Sequence, residues 1–98
     1  MLENTCFTLF IGDDKRLNLC ILHGKVTEKV DFKFIYNSKK ISVAKTKIKL
    51  INESTITIKG YDDMADWMYR YVNINDEIVV SGKIRTSMEI DIEWVKLI

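Results

Sequence analysis

Lys45, Lys47 and Lys49 stand at alternate positions of one segment, and Lys59 follows in the next. Ammonium groups in a row along one face of a strand can meet successive phosphates of a nucleic acid. The same row also serves simply to keep a strand face in water. Phe32, Phe34 and Tyr36 alternate around Lys33. Flat rings among cations suit base stacking, at about 1–3 kcal/mol per base, and they suit a core or dimer contact equally well. Tyr61 is a further stacking candidate, and Lys83 and Arg85 add positive charge further along. Other chemistries are poorly served. His23 is the only histidine, read here as a structural or surface residue, and Cys6 and Cys20 are the only cysteines. No three or four ligands have metal-binding spacing, and there is no nucleophilic triad or glycine-rich phosphate loop. The residues therefore predict a binding protein rather than an enzyme, with no metal and no cofactor.

Strands must position these groups. Residues 41–51 alternate with period two: Ser42, Ala44, Thr46, Ile48 and Leu50 share one face, and Ile41, Val43 and the three lysines share the other. Residues 55–59 return antiparallel after an Asn52-Glu53-Ser54 turn, which puts Thr57 and Lys59 on the lysine side if the register allows. Residues 5–11 and 17–26 predict a hairpin about Gly12-Asp13-Asp14-Lys15. Centred at Asp13, it sets Cys6 opposite Cys20. A cross-strand disulfide is conceivable there, but two buried thiols are the favoured reading, because a cytosolic chain keeps its thiols reduced. Asp62 or Asp63 can cap the one convincing helix, where Met64, Trp67, Met68 and Tyr71 form a stripe that predicts core packing. Residues 77–85 and 88–97 are the last strands. Ile90, Ile92 and Trp94 are expected on the apolar side of the final one.

The 98 residues make one small domain. The uncharged apolar run at residues 17–22 is far too short to cross a bilayer, and the N-terminus lacks the pattern of a secretory signal. The net charge of +1 conceals an uneven distribution. Residues 25–60 carry nine lysines against three acids, a net of +6, while residues 61–98 carry a net of −4. The middle third is a basic module.

If the first hairpin strand is an extension, the order is five strands with one helix between the third and fourth. That is the order of an OB-fold, a five-stranded Greek-key barrel, here all-β with one helix and an extra N-terminal strand. Residues 1–16 would then be the extension and 17–98 the barrel domain. Gly24 and Gly82 suit the bends or bulges of a small barrel.

Residues 64–86, Met-Ala-Asp-Trp-Met-Tyr-Arg-Tyr-Val-Asn-Ile-Asn-Asp-Glu-Ile-Val-Val-Ser-Gly-Lys-Ile-Arg-Thr, resemble the bacterial single-stranded DNA-binding protein family. There, a helix bearing Ala-Glu ends in Tyr-Leu, and a strand of the form Val-x-Val-x-Gly-x-Leu-Arg-Thr follows. Ala65, Tyr71, Val72, Val80, Gly82, Ile84, Arg85 and Thr86 fall in step. Residues 18–27 are similar to the family's opening strand, and residues 28–58 match only in pattern. Replication protein A's middle subunit and telomere-capping OB subunits have a similar Val-x-Gly-Lys-Ile-Arg strand.

The resemblance implies single-stranded DNA as partner, or RNA, bound largely without sequence preference in DNA replication or repair. The site residues implied are Lys45, Lys47, Lys49, Lys59, Phe32, Phe34, Tyr36, Tyr61, Lys83 and Arg85. Two departures are visible. A lysine stands near the aromatic position expected on the strand of residues 55–59, and the chain stops at Ile98 without the family's acidic recruiting tail. Compact, tailless relatives such as the primosomal replication protein B group are similar. The alternative is a protein-interaction OB subunit of a replication, repair or telomere-type complex with weak nucleic-acid binding. A homo-oligomer is expected, a dimer through the N-terminal hairpin, because residues 5–11 are apolar on both faces. No membrane association is expected. The expected compartment is the cytoplasm of a bacterium, phage host or mobile-element carrier, or the nucleus under the eukaryotic alternative.

Overall fold

The computed structural model describes the backbone of residues 5–11, 15–36, 40–86 and 88–98, and the side chains of residues 20–35, 41–86 and 88–98. Seven strands and one helix follow in order: β1 (Thr5–Ile11), β2 (Lys15–Val26), β3 (Asp31–Tyr36), β4 (Lys40–Leu50), β5 (Thr55–Tyr61), α1 (Asp63–Tyr71), β6 (Glu77–Thr86) and β7 (Glu89–Leu97). The sheet runs β1-β2-β6-β7-β5-β4-β3, and a further β2–β4 pairing closes it. Removing the outer strands β1 and β3 leaves a closed five-stranded barrel with α1 between its third and fourth strands. This is the OB-fold expected from the order of elements. Strand β3 is an addition: its residues read as a connecting segment in sequence but pair antiparallel with β4 from Asp31↔Lys45 to Tyr36↔Lys40.

The long β2 serves three neighbours. Its first half pairs with β1, its second half with β6, and Gly24, Lys25 and Val26 with Leu50, Lys49 and Ile48 of β4. The β1 register sets Cys6 opposite Cys20, as the hairpin centre predicts. Cys20 is 1% exposed and disulfide-bonded rather than the free thiol expected. The side chain of Cys6 and the turn at residues 12–14 lie outside the described residues.

The barrel interior is filled by Val26, Ile48, Ile58, Ile78, Val80, Ile90 and Ile92, and α1 closes it with Ala65 and Met68. Burial alternates along β4 as its period requires: Ala44, Thr46, Ile48 and Leu50 are buried, and the lysines between them are exposed. Thr46 is the one buried polar residue of the described core, and its hydroxyl donates to the Glu28 carbonyl at 2.7 Å. Such a partner is needed for a polar group out of water.

Asp62 stands at the N-cap of α1 with φ 53° and makes no side-chain cap bond. Its carboxylate instead accepts from the Ser42 amide of β4 at 3.4 Å. Met68 is fully buried, whereas Tyr71 is exposed and rests on Trp67 at 5.3 Å. The core stripe therefore runs through Met64, Ala65, Met68 and Val72 rather than out to Tyr71. Gly60 lets the helix sit close, since a Cβ there would come within 2.7 Å of Met64 Cγ and Met68 Sδ.

A bulge between Ser81 and Gly82 changes the parity of β7. Gly82 faces Ile92, but Ser81 faces Trp94, so Glu93 has no opposite number. Ile90 and Ile92 point inward as expected. Beyond the bulge Val95 takes the inward place, packing against the core, and Trp94 turns out with 48% of its surface exposed. The expectation that Trp94 is core is thereby corrected.

Candidate nucleic-acid interface

The outward face of β4 and β5 gathers the cations. Lys45 stands directly opposite Lys59, Lys47 opposite Thr57 and Lys49 opposite Thr55. Where β2 closes the barrel, Lys25 stands opposite Lys49 and extends the row. Like charges set directly across a strand pair repel, so this face is electrostatically strained toward an anion. Val43 opposite Tyr61 and Ile35 opposite Ile41 lie on the same face and supply apolar surface beside the charges. Lys25, Ile35, Ile41 and Val43 were not picked from the sequence. Alternation within β4 already put Ile41 and Val43 on this face, whereas Lys25 and Ile35 come in only through the β2–β4 and β3–β4 registers.

The other predicted residues divide by face. Phe32 pairs with buried Ala44 and Phe34 with Ser42, so both lie on the helix side of the β3–β4 sheet, away from the lysine row. Phe32 packs on Tyr69 of α1 at 5.1 Å between ring centroids, and Phe34 meets its edge at 5.2 Å. Phe34 remains half exposed. Tyr36 pairs with Lys40 by backbone, and its side chain lies outside the described residues. The structure thus does not bring Phe32 and Phe34 onto the face that carries the lysines. Tyr61 is on that face, half-buried, with its hydroxyl 3.5 Å from Asp91 Oδ1. Trp94 is on the outer side of β7 beyond the bulge.

The charges are mostly matched. Lys47 pairs with Glu28 at 3.5 Å and Lys49 with Glu53, all well exposed. Lys59 pairs with Glu89 at 2.9 Å, Arg85 with Asp91 at 2.8 Å and Lys83 with Glu93 at 3.7 Å. A hydrogen bond to Glu89 holds the Lys59 ammonium above its ordinary pKa. Tyr61, and then the charge of Asp91, do the same for Arg85. Asp31 is the cross-strand neighbour of Lys45, but its carboxylate engages Lys33 at 3.5 Å. Lys45 therefore has no ion pair among the described residues. Exposed pairs contribute about 0–1 kcal/mol, so the carboxylates of Glu28 and Glu53 hold Lys47 and Lys49 only weakly. His23 lies on β2 with Nε2 3.6 Å from Glu77. Among the described residues no group of three or more His, Cys, Asp or Glu could hold a metal ion, and no helix is long and apolar enough to cross a membrane.

No protein-family model matches the chain, and no curated protein matches it. Solved structures do. The chain is similar to the SSB domain of a Synechococcus protein, with a TM-score of 0.74 at 22% identity over 85% of this chain and 98% of that one. It is also similar to a deletion mutant of the single-stranded DNA binding protein from Thermus aquaticus (TM-score 0.71, 18% identity, 91% of this chain). The wild-type Thermus aquaticus protein superposes with a TM-score of 0.67 at 14% identity over 90% of this chain. This chain spans 44% and 43% of those two Thermus chains. Barrel order, helix position and these superpositions agree: the chain has the OB-fold of bacterial single-stranded DNA-binding domains.

Proposed function

We propose that the chain binds single-stranded DNA, largely without sequence preference, along the outer face of β4 and its neighbours. The observation that supports this best is the lysine row itself. Lys45, Lys47 and Lys49 share one exposed face, Lys25 extends it across the barrel closure, and Lys45 has no ion pair among the described residues. Spacing along a strand of about 3.3 Å per residue sets alternate lysines about 6.6 Å apart, close to the phosphate repeat of an extended single strand. Val43, Ile41 and the Tyr61 ring offer sequence-blind surface for bases beside those phosphates. The OB-fold uses this part of the barrel for oligonucleotides, and the solved proteins of this shape carry single-stranded DNA binding in their names. RNA is a second ligand of the same chemistry. The reading is of a binding protein in DNA replication or repair, not an enzyme, acting in the cytoplasm.

Self-association through the hairpin belongs to the same proposal. β1 is an end strand that pairs only with β2, and a second copy pairing along it would cover its open edge. The proposed units are residues 1–16, an extension of the barrel, and residues 17–98, the OB-fold domain. The test is anisotropy of a labelled 30-mer oligo-dT at two salt concentrations. Binding that falls with salt and with Lys45→Glu/Lys47→Glu supports the proposal, and no binding at low salt overturns it.

One observation favours a second reading, a protein-interaction subunit. On the helix side Phe34, Tyr69, Tyr71 and Ile74 are each about half exposed. Tyr69 and Ile74 line one hollow, and that surface suits an apolar partner better than phosphates.

A further inference from the structure

We propose that Glu89 and Asp91 of β7 act as internal phosphate mimics, holding Lys59 and Arg85 out of the nucleic-acid contact and confining the strand to the β4 side. The inference rests on the reading of this face as a single-stranded DNA site. It starts from the β5–β7 pairing, the one parallel contact among the strands, which sets Glu89 beside Thr57 and Asp91 beside Lys59. Antiparallel pairing then sets Lys83 across from Asp91. An acidic strand thus runs between two basic ones on the outward face.

The carboxylates of these pairs are more shielded than those that meet the β4 lysines, although Arg85 itself is well exposed. Lys59 and Glu89 side chains are each only 27% exposed, and Asp91 is 24% exposed with both oxygens engaged, one by Arg85 and one by Tyr61. The Lys47 and Lys49 pairs are roughly half exposed or more at both partners. A phosphate reaching Lys59 must expel a shielded carboxylate and leave it beside a polyanion. A phosphate reaching Lys47 displaces a carboxylate already in water. Pairing also removes the reward for contact. A lysine still held by its own carboxylate neutralises no phosphate and so displaces no counterion from the strand, which keeps it out of the salt-dependent part of affinity until that carboxylate leaves. The positive face is therefore split into an open half (Lys25, Lys45, Lys47, Lys49) and an occupied half (Lys59, Arg85).

The test is a cycle on the first pair, read by oligo-dT anisotropy across a salt series, with folding checked by circular dichroism. Glu89→Gln should tighten binding about five-fold at low salt and steepen the log–log salt slope by about 0.7, one contact on a single strand. Adding Lys59→Ala should abolish that gain. Unchanged or weaker binding by Glu89→Gln overturns the proposal, since the acid would then be inert or would position Lys59 for contact. A gain that survives Lys59→Ala also overturns it, because the effect would be long-range charge rather than release of this lysine. Should Glu89→Gln fail to fold, Asp91→Asn with Arg85→Gln forms the same cycle on the second pair, with the same outcomes. Wild-type protein that fails to bind along with every variant overturns the site reading itself. Wild-type binding with a flat cycle overturns only the mimicry.

Discussion

Phe32→Ala separates the two sides of the β3–β4 sheet. The ring lies across from fully buried Ala44, perpendicular to the Phe34 ring and against the tilted Tyr69 ring of α1. Truncating a fully buried phenylalanine costs about 3–5 kcal/mol. Phe32 is only half-buried, which removes a good part of that, while two aromatic contacts add about 0.5–1.5 kcal/mol each beyond area. The net is a loss of about 2–3 kcal/mol, from the same balance of burial and ring contacts. In a domain of this size that lowers Tm by about 10–20 °C. Urea unfolding followed by tryptophan fluorescence reads the loss as a lower midpoint at unchanged slope. Oligo-dT affinity, measured where the variant is still folded, should stay within about two-fold, because the ring faces the helix and not the lysine row. Lys45→Glu should do the reverse, weakening binding with Tm nearly unchanged, because its side chain is exposed and unpaired. A Phe32→Ala protein of normal stability whose binding falls ten-fold would refute the assignment of faces.

Two further outcomes follow from particular contacts. A Cβ at Gly82 would overlap the Asp91 carbonyl oxygen and lie 2.7 Å from Ile92 Cα. Gly82→Ala must therefore displace the β7 backbone at the bulge, costing about 1–3 kcal/mol or more by chemical denaturation. The Lys59–Glu89 bond gives an alkaline signature. The folded pKa of Lys59 is raised above 10.5, so its stabilisation is complete below that pH and disappears as pH rises through the folded value. Wild-type and Glu89→Gln proteins should differ in stability by a fraction of about 1 kcal/mol at neutral pH and converge in strongly alkaline solution. A difference that grows with pH would contradict the pairing.

Much of the barrel was legible in residue spacing. The period of two across residues 41–51 alone assigned the inward and outward faces of β4, because a half-buried strand has no other way to place Ile48 and Lys47. The hairpin centre at Asp13 likewise determined which β1 and β2 residues pair. What escaped was relative parity between strands. Phe32 and Phe34 alternate as clearly as the lysines, yet whether they share the lysine face depends on the β3–β4 register. Alternation within either strand alone does not dictate that register. Trp94 was misplaced for a related reason: one unpaired residue at the bulge inverts every side chain after it. The β7 acids were visible as a charge excess in the last third of the chain. Their place between Lys59 and Arg85 comes from a parallel contact between distant segments, which local pattern does not encode.

The lysine face is tested most directly by equilibrium anisotropy of a labelled 30-mer oligo-dT, titrated with wild-type protein and with Lys45→Glu/Lys47→Glu at low and moderate salt. Saturable wild-type binding that weakens with salt, and a charge-reversed variant that keeps its Tm while losing ten-fold or more in affinity, is the expected result. That ten-fold is on the scale of about two phosphate contacts. Absence of wild-type binding at low salt, or a variant that binds as tightly as wild type, would contradict it.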